Sequence, residues 1–240
     1  MGVYQNILTS ILKGENLLAV LIDPDKAMLK NIAGFMLKIN QSKTTHIFVG
    51  GSTVNGNATD VLVKEVKKHT NLPIIIFPGD VNQITDEADA LLFLSLISGR
   101  NPEYLIGKHV DSISKLRETQ LEVISTGYIL INGGKQTAVE RETNTKPLSV
   151  NHIQEVIDTA KAGELLGMKL MYLEAGSGAV NSASNNIIKA IKNELNIPLI
   201  VGGGMRTMEQ ISNAYKSGAN MVVIGTVLEE DEAFLDSLHK

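Results

Sequence analysis

The 240-residue chain contains no cysteine, which removes a disulfide framework, a thiolate nucleophile and a cysteine-rich zinc cluster, and fits a reducing compartment. It has no basic excess: the formal net charge is −4, so an electrostatic footprint for nucleic acid is missing. No apolar run reaches the roughly 18 residues that a bilayer span needs. The N-terminal M-G-V-Y-Q-N-I-L lacks the charged-then-apolar pattern of a signal peptide, and a cytoplasmic protein is expected. The sequence also has no G-x-x-x-x-G-K-[ST], no G-x-S-x-G and no dinucleotide fingerprint, which argues against nucleotide hydrolysis, serine esterase and dinucleotide chemistry. His46, His69, His109, His152 and His239 are scattered without metal-ligand spacing and read as surface or packing residues.

What remains is an ordinary globular composition, 43% apolar and 20% charged, with no shift that would mark a second domain. Eight short apolar runs alternate with helix-like segments. The strand-like runs are 17–22, 46–49, 73–77, 90–94, 122–131, 170–173, 197–201 and 220–224. The helix-like segments are 27–39, 59–69, 102–117, 150–166, 183–195, 207–217 and 231–239. In the first of these Met28, Ile32, Phe35, Met36 and Ile39 share one side; in 207–217 Met208, Ile211, Ala214 and Tyr215 do, with Thr207 as N-cap and Gly218 as stop. Continuous apolar strands covered on both faces, in a chain close to the roughly 250 residues typical of the architecture, predict a single α/β domain over 1–240. The fold class is a (β/α)8 TIM barrel. Only about ten residues separate the third strand from the fourth, too few for a crossover helix. The third helix is therefore expected to be missing or replaced by extended chain.

Glycine and polar residues collect after the strands, at the end of a barrel where sites are built. The run I-P-L-I-V-G-G-G-M-R-T, followed by a helix and then N-M-V-V-I-G-T, brings side-chain-free backbone to the ends of two neighbouring parallel strands. Their amides can converge on one oxyanion, the phosphate site formed by the loops after strands seven and eight. At the end of the first strand Asp23 and Asp25 flank Pro24, and one of them is expected to cap the next helix. Asp23 is the better candidate to face the barrel mouth, where a single carboxylate suits Mg²⁺, an ion that fills its shell with water and substrate phosphate; the Ser52 hydroxyl is a second candidate ligand. Glu174 ends the sixth strand before Gly176-Ser177-Gly178, in place to act as a general base or to form an ion pair across the mouth. Tyr172, on the same strand face, could orient the reacting hydroxyl. The polar segment 133–147, with Lys135, Arg141 and Lys146, is long enough to be functional.

The motifs L-I-D-P-D-K, V-G-G-S-T, Y-L-E-A-G-S-G, V-G-G-G-M-R-T and I-G-T resemble those of the geranylgeranylglyceryl phosphate synthase family, including its bacterial relatives, over essentially the whole chain. The resemblance implies a Mg²⁺-dependent prenyltransferase that joins sn-glycerol 1-phosphate to a polyprenyl diphosphate, usually geranylgeranyl diphosphate. The product is an ether, pyrophosphate is released, and the enzyme self-associates as a homo-oligomer. By motif, it places Mg²⁺ at Asp23 and Ser52. It places glycerol phosphate at Tyr172, Leu173, Glu174, Ala175, Gly176, Ser177, Gly178, Gly203, Gly204, Gly225 and Thr226, with Glu174 as base. A family subset with lysine two residues before the metal aspartate is excluded, because Leu21 stands there and the chain groups with archaeal-type members. Two other readings fit the residues alone: a barrel enzyme acting on a sugar phosphate, and a non-catalytic barrel that binds a phosphometabolite.

Overall fold

The computed structural model of the chain describes residues 2–27, 29–54 and 56–239. Eight parallel strands close into a barrel: β1 (Leu17–Ile22), β2 (His46–Val49), β3 (Ile74–Ile76), β4 (Ala90–Leu96), β5 (Glu122–Leu130), β6 (Leu170–Glu174), β7 (Leu199–Gly202) and β8 (Met221–Ile224). Pairing of β8 with β1, from Leu17↔Met221 to Val20↔Ile224, completes the ring. The strands are short and rich in Val, Ile and Leu because both of their faces are buried. Alternate residues divide between two cores. Ala19, Phe48, Ile75, Leu92, Ile200 and Val223 fill the interior, whereas Val20, Ile47, Ile76, Leu91, Val201 and Ile224 pack outward under the helices.

The outer layer is formed by α2 (Ile32–Gln41), α3 (Ala58–Lys67), α4 (Lys108–Leu116), α6 (Ile153–Leu165), α7 (Asn185–Glu194) and α8 (Met208–Lys216), which follow α1 (Val3–Leu12) and are interrupted by the short α5 (Ala138–Thr143). Thr207 caps α8 as expected, its hydroxyl accepting from Gln210 N at 3.1 Å while the Gln210 side-chain Oε1 accepts from Thr207 N at 3.0 Å. Ile211 and Ala214 of that stripe are buried and Tyr215 donates its hydroxyl to Leu17 O at 2.7 Å, but Met208, at the open first turn, is exposed. Between β3 and β4 there is a single 3₁₀ turn, Val81–Gln83, so the third crossover helix is replaced by extended chain.

The structure differs from the sequence reading at four places. The helix expected from residue 27 begins at Ile32, preceded by a 3₁₀ turn over Leu29–Asn31, because the Asp23 carbonyl accepts from the amides of Lys26 and Ala27 and holds that stretch in a turn. Met28 lies outside the described residues. The segment 102–117 opens with a π turn, Glu103–Gly107, before α4. The C-terminal segment is a 3₁₀ run, Glu232–Leu238, which still buries Leu235 and Leu238. The short helix α9 (Thr226–Glu230) follows β8 directly.

The unexpected α1 lies across the N-terminal end of the barrel, with Val3 and Ile7 packed into the interior core. Its first-turn amides need partners, and its N-cap, Gly2, has no side chain to supply one. The Glu122 carboxylate, at the start of β5, accepts from Val3 N through Oε2 and from Tyr4 N through Oε1 at 3.2 Å. A negative group at a helix N-terminus also complements the helix dipole. Glu122→Ala is expected to cost about 1–3 kcal/mol of stability by stranding both amides, and Glu122→Gln less, as read from denaturant midpoints.

Candidate active site

A cleft crosses the C-terminal mouth of the barrel and collects residues from the ends of most of its strands. Of the residues singled out in the sequence, Asp23, Ser52, Tyr172, Glu174, Ser177, Gly203, Gly204, Gly225 and Thr226 line it. Leu173 and Ala175 do not, since their side chains belong to the outer core between barrel and helices. Gly176 and Gly178 shape the loop from behind. Gly176 N donates to Glu174 Oε1 at 2.6 Å, and Gly178 N donates to Thr226 Oγ1 at 3.1 Å.

At one end the loops after β6, β7 and β8 are tied together. Thr226 Oγ1 meets Gly178 N and lies 3.4 Å from Ser177 Oγ, while Arg206 Nη1 donates to Ala179 O at 2.6 Å. The short α9 starts at Thr226, beside the Gly203-Gly204 backbone in the cleft wall. Strand-seven and strand-eight loops with the N-terminus of a short extra helix are the parts from which TIM barrels make phosphate sites.

Glu174 stands next to this cradle. Its carboxyl is buried, accepts from Gly176 N and from the Tyr172 hydroxyl, and forms no ion pair among the described residues. The alternative of an ion pair across the mouth is thus set aside. Burial raises its pKa to about 7, against the opposing pull of those two donors. The glycines opposite make room for it. A Cβ on Gly203 would lie 2.3 Å from Glu174 Oε1 and 2.6 Å from Gly176 N, and its φ of +82° disfavours any other residue. A Cβ on Gly202 would lie 2.4 Å from the Tyr172 hydroxyl.

Across the mouth Asp23 follows β1. Its Oδ1 accepts from Asp25 N at 3.0 Å, its Oδ2 is 3.4 Å from Lys26 Nζ, and its carboxylate lies against Gly51. Asp23 therefore caps its own turn and not α2, whose N-cap position is Asn31. The buried Gln83, from the extended segment that replaces the third helix, grips the Gly51 backbone on both sides, donating to Gly51 O at 2.7 Å and accepting from Gly51 N at 3.3 Å. No group of three or more His, Cys, Asp or Glu fit to hold a metal occurs among the described residues. One carboxylate and one hydroxyl nevertheless fit an ion that takes most of its ligands from water and substrate phosphate.

Where the third helix is absent the cleft extends as an apolar branch walled by Phe77, Ile84, Leu91, Phe93, Tyr104 and Val139. His109 also borders it as a buried packing residue, its Nε2 3.1 Å from Ser95 Oγ and its ring edge-on to Phe93. The segment 133–147 folds over the mouth through α5, where Thr137, Val139 and Thr143 reach the cleft; Lys135, Arg141 and Lys146 do not line it. Sequence reading missed Gln83, Phe77 and Tyr128. Phe77 and Tyr128 stand at strand ends, and Tyr128 is in register with Tyr172, a pairing that parallel-strand alternation makes accessible once the strands are aligned.

The fold and this cleft define a TIM-barrel protein with loops after β7 and β8 of the kind that hold phosphate, a buried carboxyl and an attached apolar groove. Comparison makes the assignment specific: the PcrB family matches residues 10–240, and the chain belongs to that family. It is 51% identical over 235 residues to the geranylgeranylglyceryl phosphate synthase of Flavobacterium johnsoniae, spanning 98% of this chain and 97% of that protein. The same enzyme of Zunongwangia profunda is 51% identical over 230 residues, 94% of this chain and 98% of that one. The crystal structure of (S)-3-O-geranylgeranylglyceryl phosphate synthase from Thermoplasma acidophilum, in complex with its substrate sn-glycerol-1-phosphate, superimposes with a TM-score of 0.92 at 32% identity, covering 100% of this chain and 96% of that one.

The raised pKa makes stability depend on pH. In the unfolded chain Glu174 ionises near the ordinary glutamate value of 4.5, whereas in the fold it holds its proton to about 7. Its contribution is therefore most favourable below 4.5 and is lost as pH rises through 7, a swing on the order of 3 kcal/mol. Glu174→Gln cannot ionise and is expected to melt above the wild type at pH 8, with the difference closing by pH 5. A variant that melts lower at pH 8 would show that the carboxylate is stabilised by a partner. Gly203→Ala is expected to cost about 1–3 kcal/mol through its φ alone, and to lower turnover by displacing Glu174; calorimetry and rates on the folded fraction check both.

Proposed function

We propose that the chain catalyses transfer of a polyprenyl group, geranylgeranyl being the first choice, from its diphosphate to a hydroxyl of sn-glycerol 1-phosphate. The observation that carries this reading is the continuity of one cleft. A phosphate cradle at the β7 and β8 ends, the Glu174 carboxylate, the Asp23 and Ser52 pair and an apolar groove all open into it. The Thermoplasma enzyme's bound glycerol phosphate supports the assignment of the cradle. A sugar-phosphate enzyme has no use for the groove, and a non-catalytic binder has no use for a buried carboxyl with a pKa near 7.

The acceptor's phosphate is held by the backbone at Gly203, Gly204 and Gly225-Thr226, which brings a glycerol hydroxyl beside Glu174. Tyr172 and Gly176 N fix the carboxyl's orientation by hydrogen bonds. With a pKa near the operating pH, Glu174 is both available as a base and strong enough to take the hydroxyl proton. The carboxylate of Asp23 and hydroxyl of Ser52 would hold Mg²⁺. When bound there, the ion supplies positive charge against the charge of the diphosphate. The donor's chain occupies the groove beside β3 and β4, which excludes water from the reacting carbon. We also expect a cytoplasmic protein that works as a homo-oligomer; no helix among the described residues is long and apolar enough to cross a membrane.

Incubation with radiolabelled sn-glycerol 1-phosphate and geranylgeranyl diphosphate, with and without Mg²⁺, is expected to give a lipid-extractable product only when all three are present. Absence of that product refutes the transferase reading. Asp23→Asn should keep the fold, lower turnover and shift the Mg²⁺ titration to higher concentration; an unchanged titration would restrict Asp23 to its turn. Glu174→Gln should lower turnover by about 10² to 10⁴-fold, and kcat/KM of the wild type should rise with pH through about 7, where Glu174 loses its proton.

A further inference from the structure

Between the two polar ends of the cleft lies a floor of aromatic rings. Phe77, which follows β3, stacks on Tyr172 of β6 with centroids 5.0 Å apart and planes inclined by 14°. Tyr128 of β5 closes the group, 5.9 Å from Phe77 and 5.4 Å from Tyr172. All three line the cleft; the tyrosines are buried, while Phe77 is half-buried and presents the accessible ring. Tyr172 also connects this floor to Glu174 through its hydroxyl. Among the described residues the recorded cation over a ring is Lys169 on Tyr4, at the opposite end of the barrel, so no protein cation occupies the faces of this group.

The position is chemically specific. In the proposed transfer the allylic carbon travels from a diphosphate held on the Asp23 and Ser52 side to a hydroxyl held beside Glu174. The carbon must therefore lie between those groups, on the side of the cleft to which β3 and β5 bring their rings. As the carbon–oxygen bond to the diphosphate breaks, its electron pair leaves with the diphosphate and the allyl group becomes positive. The glycerol oxygen then donates a lone pair to that carbon, and its proton passes to Glu174. No charged side chain of the floor meets the transient positive charge. A desolvated aromatic face does, and its quadrupole attracts a cation.

We propose that Phe77, backed by Tyr128 and Tyr172, is a catalytic residue whose ring face stabilises the allylic cation as the diphosphate departs, an assignment that rests on the transferase reading. It differs from a packing role in depending on the electron density of the ring and not on its volume. The test replaces Phe77 by phenylalanines carrying one to five ring fluorines, which change size little and weaken the quadrupole stepwise. Single-turnover rates are measured with geranylgeranyl diphosphate, Mg²⁺ and radiolabelled sn-glycerol 1-phosphate. The logarithm of the rate is expected to fall steadily with fluorination, by about 30-fold at the end of the series, while KM for the prenyl diphosphate changes little. Phe77→Leu should be slowed to a similar extent and Phe77→Tyr should retain the wild-type rate. A flat series in an active enzyme overturns the assignment and leaves the transferase reading intact, whereas a wild type that forms no product overturns both.

Discussion

Closure of eight parallel strands, completed by the pairing of β8 with β1, is the constraint on which the rest depends. A parallel strand can return only through a crossover on the outside, so every strand ends at the same rim and every loop that carries chemistry is delivered there. Residues as distant in the chain as Asp23, Ser52, Glu174 and Thr226 line one cleft for that reason. The opposite rim has no such duty and is covered by α1, whose first turn is held by Glu122. One end of the barrel is thus committed to stability and the other left open for ligands.

Within the open rim, the buried carboxyl of Glu174 sets the local design. It needs donors to be tolerated at all, and receives them from Gly176 and Tyr172, but it is denied a cationic partner. Burial without a counter-ion leaves the proton affinity raised despite those donors, a condition that the proposed base role needs and that an ion pair would destroy. The glycines at 202 and 203 are the complement of this arrangement, since a Cβ at either position would enter the space of Glu174 and Tyr172. The same residues that read as a phosphate loop therefore also make room for the Glu174 carboxyl.

The missing third helix has two consequences. It opens an apolar branch beside β3 and β4, and the extended segment that replaces it supplies Gln83, which holds the Gly51 backbone beside Asp23. A complete helix in that place would close the branch. Departure from the regular barrel is thus concentrated where the cleft wall is apolar, and it holds the Gly51 loop beside Asp23.

Apolar runs, their spacing and the glycine clusters after them made the barrel legible in the sequence, down to the stunted connection after β3, because period and crossover length are local properties of the chain. The candidate site was legible where the chemistry is carried by backbone or by a strand-end residue, as at Asp23, Glu174, Gly203 and Thr226. The sequence by itself could not show α1, whose weak apolar stripe acquires meaning from the open barrel end it covers and from a carboxylate 119 residues away. Nor could it show that Leu173 and Ala175 face the outer core, or that Phe77, Tyr128 and Tyr172 share one floor. Which face a residue presents and which rings meet depend on strand register around a closed ring. The raised pKa of Glu174 belongs to tertiary structure for a related reason: it arises from the removal of water by residues from other strands, and a carboxylate in an isolated strand remains solvated.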